Sequence, residues 1–561
     1  MKKIHTQIIR LTILFFGWTM LFLPACIEDK GNYTLHDLNE VSLDTLIVSY
    51  GGSIGNTLTI TPILTYSLGE DSTAFSYKWY LTTSASTTDS RGTLSTEKVL
   101  NIVTGGEESL IDVEGTYYIM FQVTNIQTEV CYYFPYTLKV EDRMQTGYIM
   151  MCETGADSFD LELISLYDGK LTQYHSILDY FGSSLPHTGV QARDMVCFPD
   201  NLSPKLNDTL PNGKTPKQFA LWIVTDQYAN RVRVEDYHYE PAYNISYQWL
   251  GNEIPRDPVS NEIVVDKIVS NSSALSGLKL YCMVNGDWYF YNYYGVMMLF
   301  YQPVNYVRPD KTPAYRYTPS PYLFSIGYLG ALMFNETDNR FEIHKASNAE
   351  LSKAISGLFQ TKRLDMGAYF DWENPDYSLI YMGNRTDMAG FAVVYNRSTT
   401  EYELLQMQNA NQSNTTINIQ QLSRLVFPAS FDVAAVKYWA YHQTQPYLYC
   451  ATDDRLFKVH LATTMTIEDI TEQVLPVGHK FSLLKSTYLR FPRKTLIAAA
   501  TYDPNGEIGK NGELSFYSLN ATTGNLTLAK HPSAPTSDGY QINMQWGGFG
   551  KVISVDYKQP N

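Results

Sequence analysis

The residues of this chain that could do chemistry are scattered rather than gathered into a motif. Gly51-Gly52-Ser53-Ile54-Gly55 fits G-x-S-x-G, the pattern that lifts a nucleophilic serine onto a strand-to-helix elbow. Ile54 to Leu64 has a strand pattern instead, so this match reads as a hairpin loop. Asn212-Gly213-Lys214-Thr215 ends like a phosphate-binding loop, but Asp208 stands where that loop needs its first glycine. The ten histidines show no H-E-x-x-H and no other ligand spacing. Asp503-Pro504-Asn505-Gly506-Glu507 lacks the alternating oxygen ligands of a calcium loop and reads as a solvated turn. A glycosidase needs two carboxylates about 5–10 Å apart, and 57 acidic residues supply many pairs while marking none. No catalytic residue, metal ligand or cofactor is assigned on these grounds. The aromatics remain. Trp372, in Phe370-Asp371-Trp372-Glu373-Asn374-Pro375, and Trp546, in Gln545-Trp546-Gly547-Gly548, lie in turn-rich contexts. They are the candidate ligand-binding residues, because an exposed indole can stack on a sugar ring or a peptide side chain. Trp222 sits inside a strand-like run and reads as core, as does Trp79.

The elements that must position these residues are strands. Aromatics make up 14% of the 561 residues, with 44 tyrosines, and charged residues only 18%. That bias suits pleated, half-buried surfaces and excludes disorder. From Gly147 onward one unit recurs: an apolar strand, a turn with Asp, Asn or Gly, and a second strand. The hairpins open at Tyr148, Ala220, Leu280, Gly330, Leu379, Leu448 and Leu496. Seven hairpins over 147–561 give about 59 residues per unit, close to propeller repeats with loop insertions. Radial repetition also removes the edge-strand hazard of so long a β chain. We therefore expect an all-β protein with a seven-bladed propeller over 147–561, the uneven spacing leaving six or eight blades open. Ahead of it, residues 41–142 carry short strand-like runs with regular turns, the pattern of an Ig-like sandwich. Ser347-Asn348-Ala349-Glu350 has the form of a capping box before Leu351, Ile355, Leu358 and Phe359, which predicts one helix decorating a blade loop.

The start of the chain says where the protein sits. Lys2, Lys3 and Arg10 precede the apolar run Leu11–Leu23, and Ala25 is small. This is the layout of an export signal, over 1–25. Cys26 follows at once, and Leu23-Pro24-Ala25-Cys26 resembles the bacterial lipobox, which implies that Cys26 is the lipidation site. Residues 26–40 then read as a lipidated tether. Acidic Glu28 and Asp29 resemble the surface-export signal of Bacteroidota lipoproteins, which implies an outer-membrane, lipid-anchored protein facing the extracellular side. Net charge is −15, and −18 without the three basic residues of the signal. Such a balance repels nucleic acid. Cys131, Cys152, Cys197, Cys282 and Cys450 form no CxxC pair, and several sit in strand-like runs, so buried thiols are expected rather than a disulfide framework.

Trp79 and the later Gly115-Thr116-Tyr117-Tyr118 run resemble PKD-like domains. With the lipobox, the sandwich ending near 142 and the Gly147-Tyr148-Ile149-Met150-Met151 start of the second half, the layout resembles the PKD-like family lipoproteins of Bacteroidota. These are encoded with SusC/SusD-type outer-membrane importers. The resemblance implies a non-catalytic accessory subunit that captures oligopeptides or glycans for a TonB-dependent transporter, with other surface lipoproteins as partners. The competing readings are a surface glycan hydrolase or lyase on a propeller scaffold, and an adhesion protein.

Overall fold

The computed structural model describes residues 38–44, 48–69, 73–105, 109–111, 114–141, 144, 146–167, 170–199, 219–234, 237–249, 256, 261–270, 279–292, 303–307, 315–327, 329–345, 361–363, 369–386, 388–410, 417–489, 494–535 and 541–558. The signal, Cys26 and the helix expected after Ser347 lie outside these residues. Among the described residues no helix is long and apolar enough to cross a membrane.

The chain forms two units. The smaller gathers the chain up to Leu46 with Pro62–Ser76 and Val123–Tyr132. In it Val41–Leu43 pairs antiparallel with Leu64–Tyr66, and the Tyr66 ring packs on Phe75 at 4.9 Å. The larger unit holds the rest. It contains the greater part of a five-stranded sheet that runs in the order Ser49–Ser53, Cys131–Glu141, Gly115–Asn125, Phe75–Thr82, Gly92–Ser95. The first two of these strands are parallel, joining the beginning of the sandwich to its end. Trp79 is fully buried on this sheet, stacked on Phe121 at 4.1 Å and tilted against Tyr136 at 5.3 Å. Its indole N–H donates to the Glu97 carbonyl at 3.0 Å, so the ring's one polar group is satisfied and the rest is core.

Among the described residues seven sheets that form blades follow in chain order, each with one of the seven hairpins seen in the sequence, and a two-stranded sheet pairs Lys530–Pro535 with Gln541–Asn543. Blades I to VII have the innermost strands Val552–Lys558, Ala192–Pro199, Lys267–Ser270, Pro319–Ile326, Tyr377–Thr386, Tyr438–Tyr441 and Lys480–Leu489. Blades V and VI are plain four-stranded meanders. Blade IV is widened to six strands by Tyr306–Val307 and Tyr315–Arg316, and blade VII by Gln545–Phe549. The apolar cores lie between blades, not within them. Trp222 and Phe198 of blade II meet Tyr291 and Cys282 of blade III, and Phe334 and Phe341 of blade IV meet Met382 and Ala392 of blade V. A blade is apolar on both faces because it is covered on both faces, which is why its strands read as nearly continuous apolar runs.

The last strand closes the ring. Val552–Lys558 pairs antiparallel with Gly147–Gly155, so the C-terminal strand is the innermost strand of blade I. Ring closure leaves only the short edges of the inner strands, which face one another around the ring. The approach to this strand is tight. A Cβ on Gly550 would sit 1.6 Å from the Glu153 carbonyl oxygen, whereas one on Gly547 meets nothing nearer than 3.5 Å. Gly550→Ala should therefore destabilise the protein by at least the roughly 1–3 kcal/mol of an overpacked site. Gly547→Ala, the matched control, should leave the thermal midpoint nearly unchanged when both are measured by circular dichroism.

A second constraint lies between blades V and VI. His442 is buried, and its Nδ1 accepts backbone N–H groups of Thr444 (3.4 Å) and Gln445 (3.2 Å). Burial, with the nearby Arg385 guanidinium, pushes its pKa down to about 4. The folded state thus disfavours the protonated ring while the unfolded chain takes a proton near pH 6.5. Its contribution is complete above pH 6.5, falls as pH drops toward 4, and totals about 3 kcal/mol. His442→Asn keeps an acceptor that does not titrate, so the variant should lose less stability than wild type between pH 6.5 and 4 in denaturant titrations.

Candidate functional site

The structure buries one of the two sequence candidates. Trp372 is not an exposed platform. It is 5% exposed and packs edge-on against Phe341 (5.5 Å) and Phe370 (4.8 Å) in the core between blades IV and V. Its turn-rich sequence crosses the end of a blade rather than projecting from it, and the Trp372 carbonyl accepts from Phe341 N–H at 2.9 Å. Trp546 is half-buried, edge-on to Phe516 at 6.1 Å beside the core that joins blades VII and I. Trp222 is core, as its mid-strand position implies. Cys152, Cys282 and Cys450 are fully buried, and burial pushes each thiol upward, away from the reactive thiolate. The Asp503 turn is closed on itself: Asp503 Oδ1 accepts Asn505 N–H at 2.9 Å and Lys510 pairs with Glu507 at 2.7 Å.

Buried ionisable groups, the usual flags of an active site, sit mainly on the third strand of the blades. Glu403 is fully buried, and its carboxylate accepts from Arg424 (2.9 and 2.6 Å), the Tyr377 hydroxyl (3.0 Å) and Asn396 (3.0 Å). Glu342, fully buried on blade IV, accepts from Arg340. Lys458 on blade VI donates to the Thr523 carbonyl (3.0 Å) and Asn525 Oδ1 (2.7 Å) of blade VII. Each group is held by partners on neighbouring strands or blades. These are clamps rather than reagents.

The innermost strands present a different set. On blade II the Asp194 carboxylate accepts the Ser554 hydroxyl of blade I at 2.8 Å and its own neighbour Met195 N–H at 2.8 Å. Burial raises its pKa, while Ser554, the Met195 N–H, Lys485 and Lys267 pull the other way. Burial lowers Lys267 on blade III, and Asp194 opposes that shift. The Lys267 ammonium lies 4.0 Å from the centre of the Tyr322 ring of blade IV, a cation–π contact. Tyr322 in turn meets Tyr381 of blade V at 4.9 Å, and Tyr381 stacks on Trp439 of blade VI at 5.9 Å and 24°. Tyr381 is pushed up to about 12 by burial and by Tyr322, so its hydroxyl stays protonated and can donate.

The result is one arc across blades II to VI: a carboxylate, an ammonium, two phenols and an indole. Asp194, Lys267, Tyr322 and Tyr381 are partly exposed, whereas Trp439 is buried behind them. Such an arc offers flat apolar faces for stacking with a donor and an acceptor at one end, and it contains no activated nucleophile. Sequence reading missed it, because Lys267 and Trp439, 172 positions apart, are linked through Tyr322 and Tyr381 only by the ring. No spacing in the sequence marked it: Lys267 opens its strand, whereas Tyr322 and Tyr381 lie in the middle of theirs.

No curated protein matches the sequence. Among solved structures, a quinonprotein alcohol dehydrogenase-like protein from Bacteroides thetaiotaomicron is similar at 11% identity, covering 91% of this chain and 96% of that one, with a TM-score of 0.41. A β-propeller domain from Myceliophteria thermophila matches at 9% identity over 64% and 93%, with a TM-score of 0.33. The WD40 domain of SCAP from fission yeast matches at 10% identity over 78% and 93%, with a TM-score of 0.26. The segment from Cys26 through the sandwich strands and into the helix Ile177–Phe181 is PKD-like: residues 26–179 match the PKD-like family.

Proposed function

We propose that this protein is a non-catalytic binding or scaffold subunit, held on the outer membrane by acylated Cys26 and facing outward. In this reading it serves a SusC/SusD-type, TonB-dependent importer of oligopeptides or glycans. The observation that carries the binding role is the arc of Lys267, Tyr322 and Tyr381 on the inner strands, with Asp194 beside it. Stacked rings with an adjacent donor and acceptor suit sugar rings or peptide side chains. The membrane role is supported by the lipobox-like Leu23-Pro24-Ala25-Cys26 with its acidic follow-up and by the PKD-like match that starts at Cys26. Two or more acyl chains hold a protein on a bilayer stably, at about 0.8 kcal/mol per buried CH₂.

Two measurements test this reading. Labelled fatty acid should be incorporated into wild type and not into Cys26→Ala, which should leave the membrane fraction. Detergent extracts should yield wild type together with a large β-barrel partner, and a clean monomer would count against the importer role. For the binding role, Tyr322→Ala and Lys267→Ala should each weaken retention of a responsive oligosaccharide or oligopeptide at least tenfold, about 1.4 kcal/mol, in protein that circular dichroism shows to be folded. Binding that survives both substitutions would move the site elsewhere.

A further inference from the structure

On blade I three side chains converge that the binding arc does not use. Asp160 lies near the start of the strand Ser158–Tyr167, Asp179 on the helix Ile177–Phe181, and His187 on the segment leading to blade II. One ligand-capable atom from each lies within 4.8 Å of the others. The local fold fixes all three. Gly182, at φ 65°, ends the helix and donates to the Asp179 carbonyl, a left-handed stop that glycine adopts without strain. Asp160 Oδ1 accepts the N–H groups of Leu161 (2.5 Å) and Leu178 (2.8 Å), which ties the helix to the strand.

Two features go beyond ordinary packing. Asp160 is 2% exposed, and its second oxygen, Oδ2, is buried and accepts no hydrogen bond among the described residues. A buried acceptor left in that state is costly, and more so when charged. The second feature is the orientation of His187. Its Nδ1 lies 2.8 Å from the Leu185 carbonyl, which can only accept, so Nδ1 carries the proton. In the neutral ring Nε2 is then a bare lone pair, and it faces Asp179 Oδ1 at 3.2 Å. Two acceptors in contact need a cation or a proton between them. A ring whose outer nitrogen donates to a backbone carbonyl while the inner one faces carboxylates is the arrangement of metal-binding histidines.

We propose that Asp160, Asp179 and His187 form a binding site for one divalent transition-metal ion of the zinc class. The donor set of one imidazole and two carboxylates suits zinc, and it disfavours calcium and magnesium, which take oxygen ligands. The spacing agrees. Ligands at about 2.0–2.2 Å around a tetrahedral ion lie about 3.3 Å apart, and the Nε2–Oδ1 distance is 3.2 Å. Three protein ligands leave the fourth position to water. The ion would pin the helix and the following segment to the edge of blade I.

The test uses the full-length protein in detergent, stripped with chelator, dialysed and titrated with zinc chloride in competition with a chromogenic chelator. One equivalent should bind, and it should raise the thermal midpoint. Cobalt chloride should give visible bands of four-coordinate geometry. His187→Gln and Asp179→Asn, both at the accessible side of the site, should each lower zinc affinity at least tenfold while the metal-free midpoints stay near wild type. Asp160→Asn reports on the buried ligand but removes a fold contact, so the two accessible variants decide. Millimolar calcium should not compete. Overturning results are no saturable uptake, or uptake unchanged in both accessible variants. Retention of the His187–Asp179 pair as a pH-dependent ion pair alone, indifferent to zinc, would equally overturn it.

Discussion

The structure depends on one strand pairing. Val552–Lys558 completes blade I by hydrogen-bonding to Gly147–Gly155, some 400 residues earlier in the chain. Until that pairing forms, the inner strand of blade I is missing and its apolar positions have nothing to cover them. Lys558 shows how firmly the end is held. It is 2% exposed, its ammonium donates to the Tyr237 hydroxyl at 3.1 Å, and it lies over that ring at 4.8 Å. Because each apolar core is shared by two blades, no blade is stable alone, and closure completes the last shared core. Gly550 is the residue that lets the chain enter this position, since its backbone presses on the Glu153 carbonyl.

Closure also explains the pattern of buried charge. A propeller blade is narrow at its inner strand and wide at its outer one, so third-strand side chains have room beyond the central apolar layer. Glu342, Glu403 and Lys458 occupy that room, each with partners that fix its strand against a neighbour. Buried ion pairs rarely add net stability, because desolvation offsets their attraction. Their effect here is on register. In blade V, Arg424 and Tyr377 reach Glu403 from the strands Ile419–Val426 and Tyr377–Thr386, which tie to the third strand from opposite sides of the sheet. A slip of one residue would carry Glu403 to the other face of the sheet and strand it.

How much of this was legible in the sequence follows from distance along the chain. Hairpins are local, and all seven strand–turn–strand units appear as antiparallel pairs at the expected places, from Tyr148 with Ile164 to Ala500 with Leu514. The all-β sandwich and propeller follow from those units. Trp79 as core was legible from the alternation around it. Trp372 was not, because a turn-rich sequence signals the end of a strand but not what the turn packs against. The arc and the blade I cluster were not legible either. Tyr322, Tyr381 and Trp439 come from three inner strands, and Asp160, Asp179 and His187 are separated by 19 and 8 positions with no regular spacing.

That asymmetry bears on where function can lie in such a ring. Each blade's own hydrogen bonds fix its strands, but the relation between neighbouring inner strands rests on contacts between side chains. Asn384 of blade V exchanges two hydrogen bonds with the Ser325 backbone of blade IV, at 2.9 and 2.6 Å. Arg385 donates to the His442 and Gln443 carbonyls of blade VI. Lys485 of blade VII donates to the Val555 carbonyl of blade I at 3.0 Å. These polar links set the spacing at which Tyr322 meets Tyr381 and Tyr381 meets Trp439. A ligand stacked along the arc would therefore bear on three blades at once, and its binding would be coupled to the same links that hold the ring closed. Rings held in a cycle of sheets closed by strand pairing lose little freedom on binding, which favours affinity from a few aromatic contacts. In this protein, stability of the ring and preorganisation of the arc have a common origin in the contacts between inner strands.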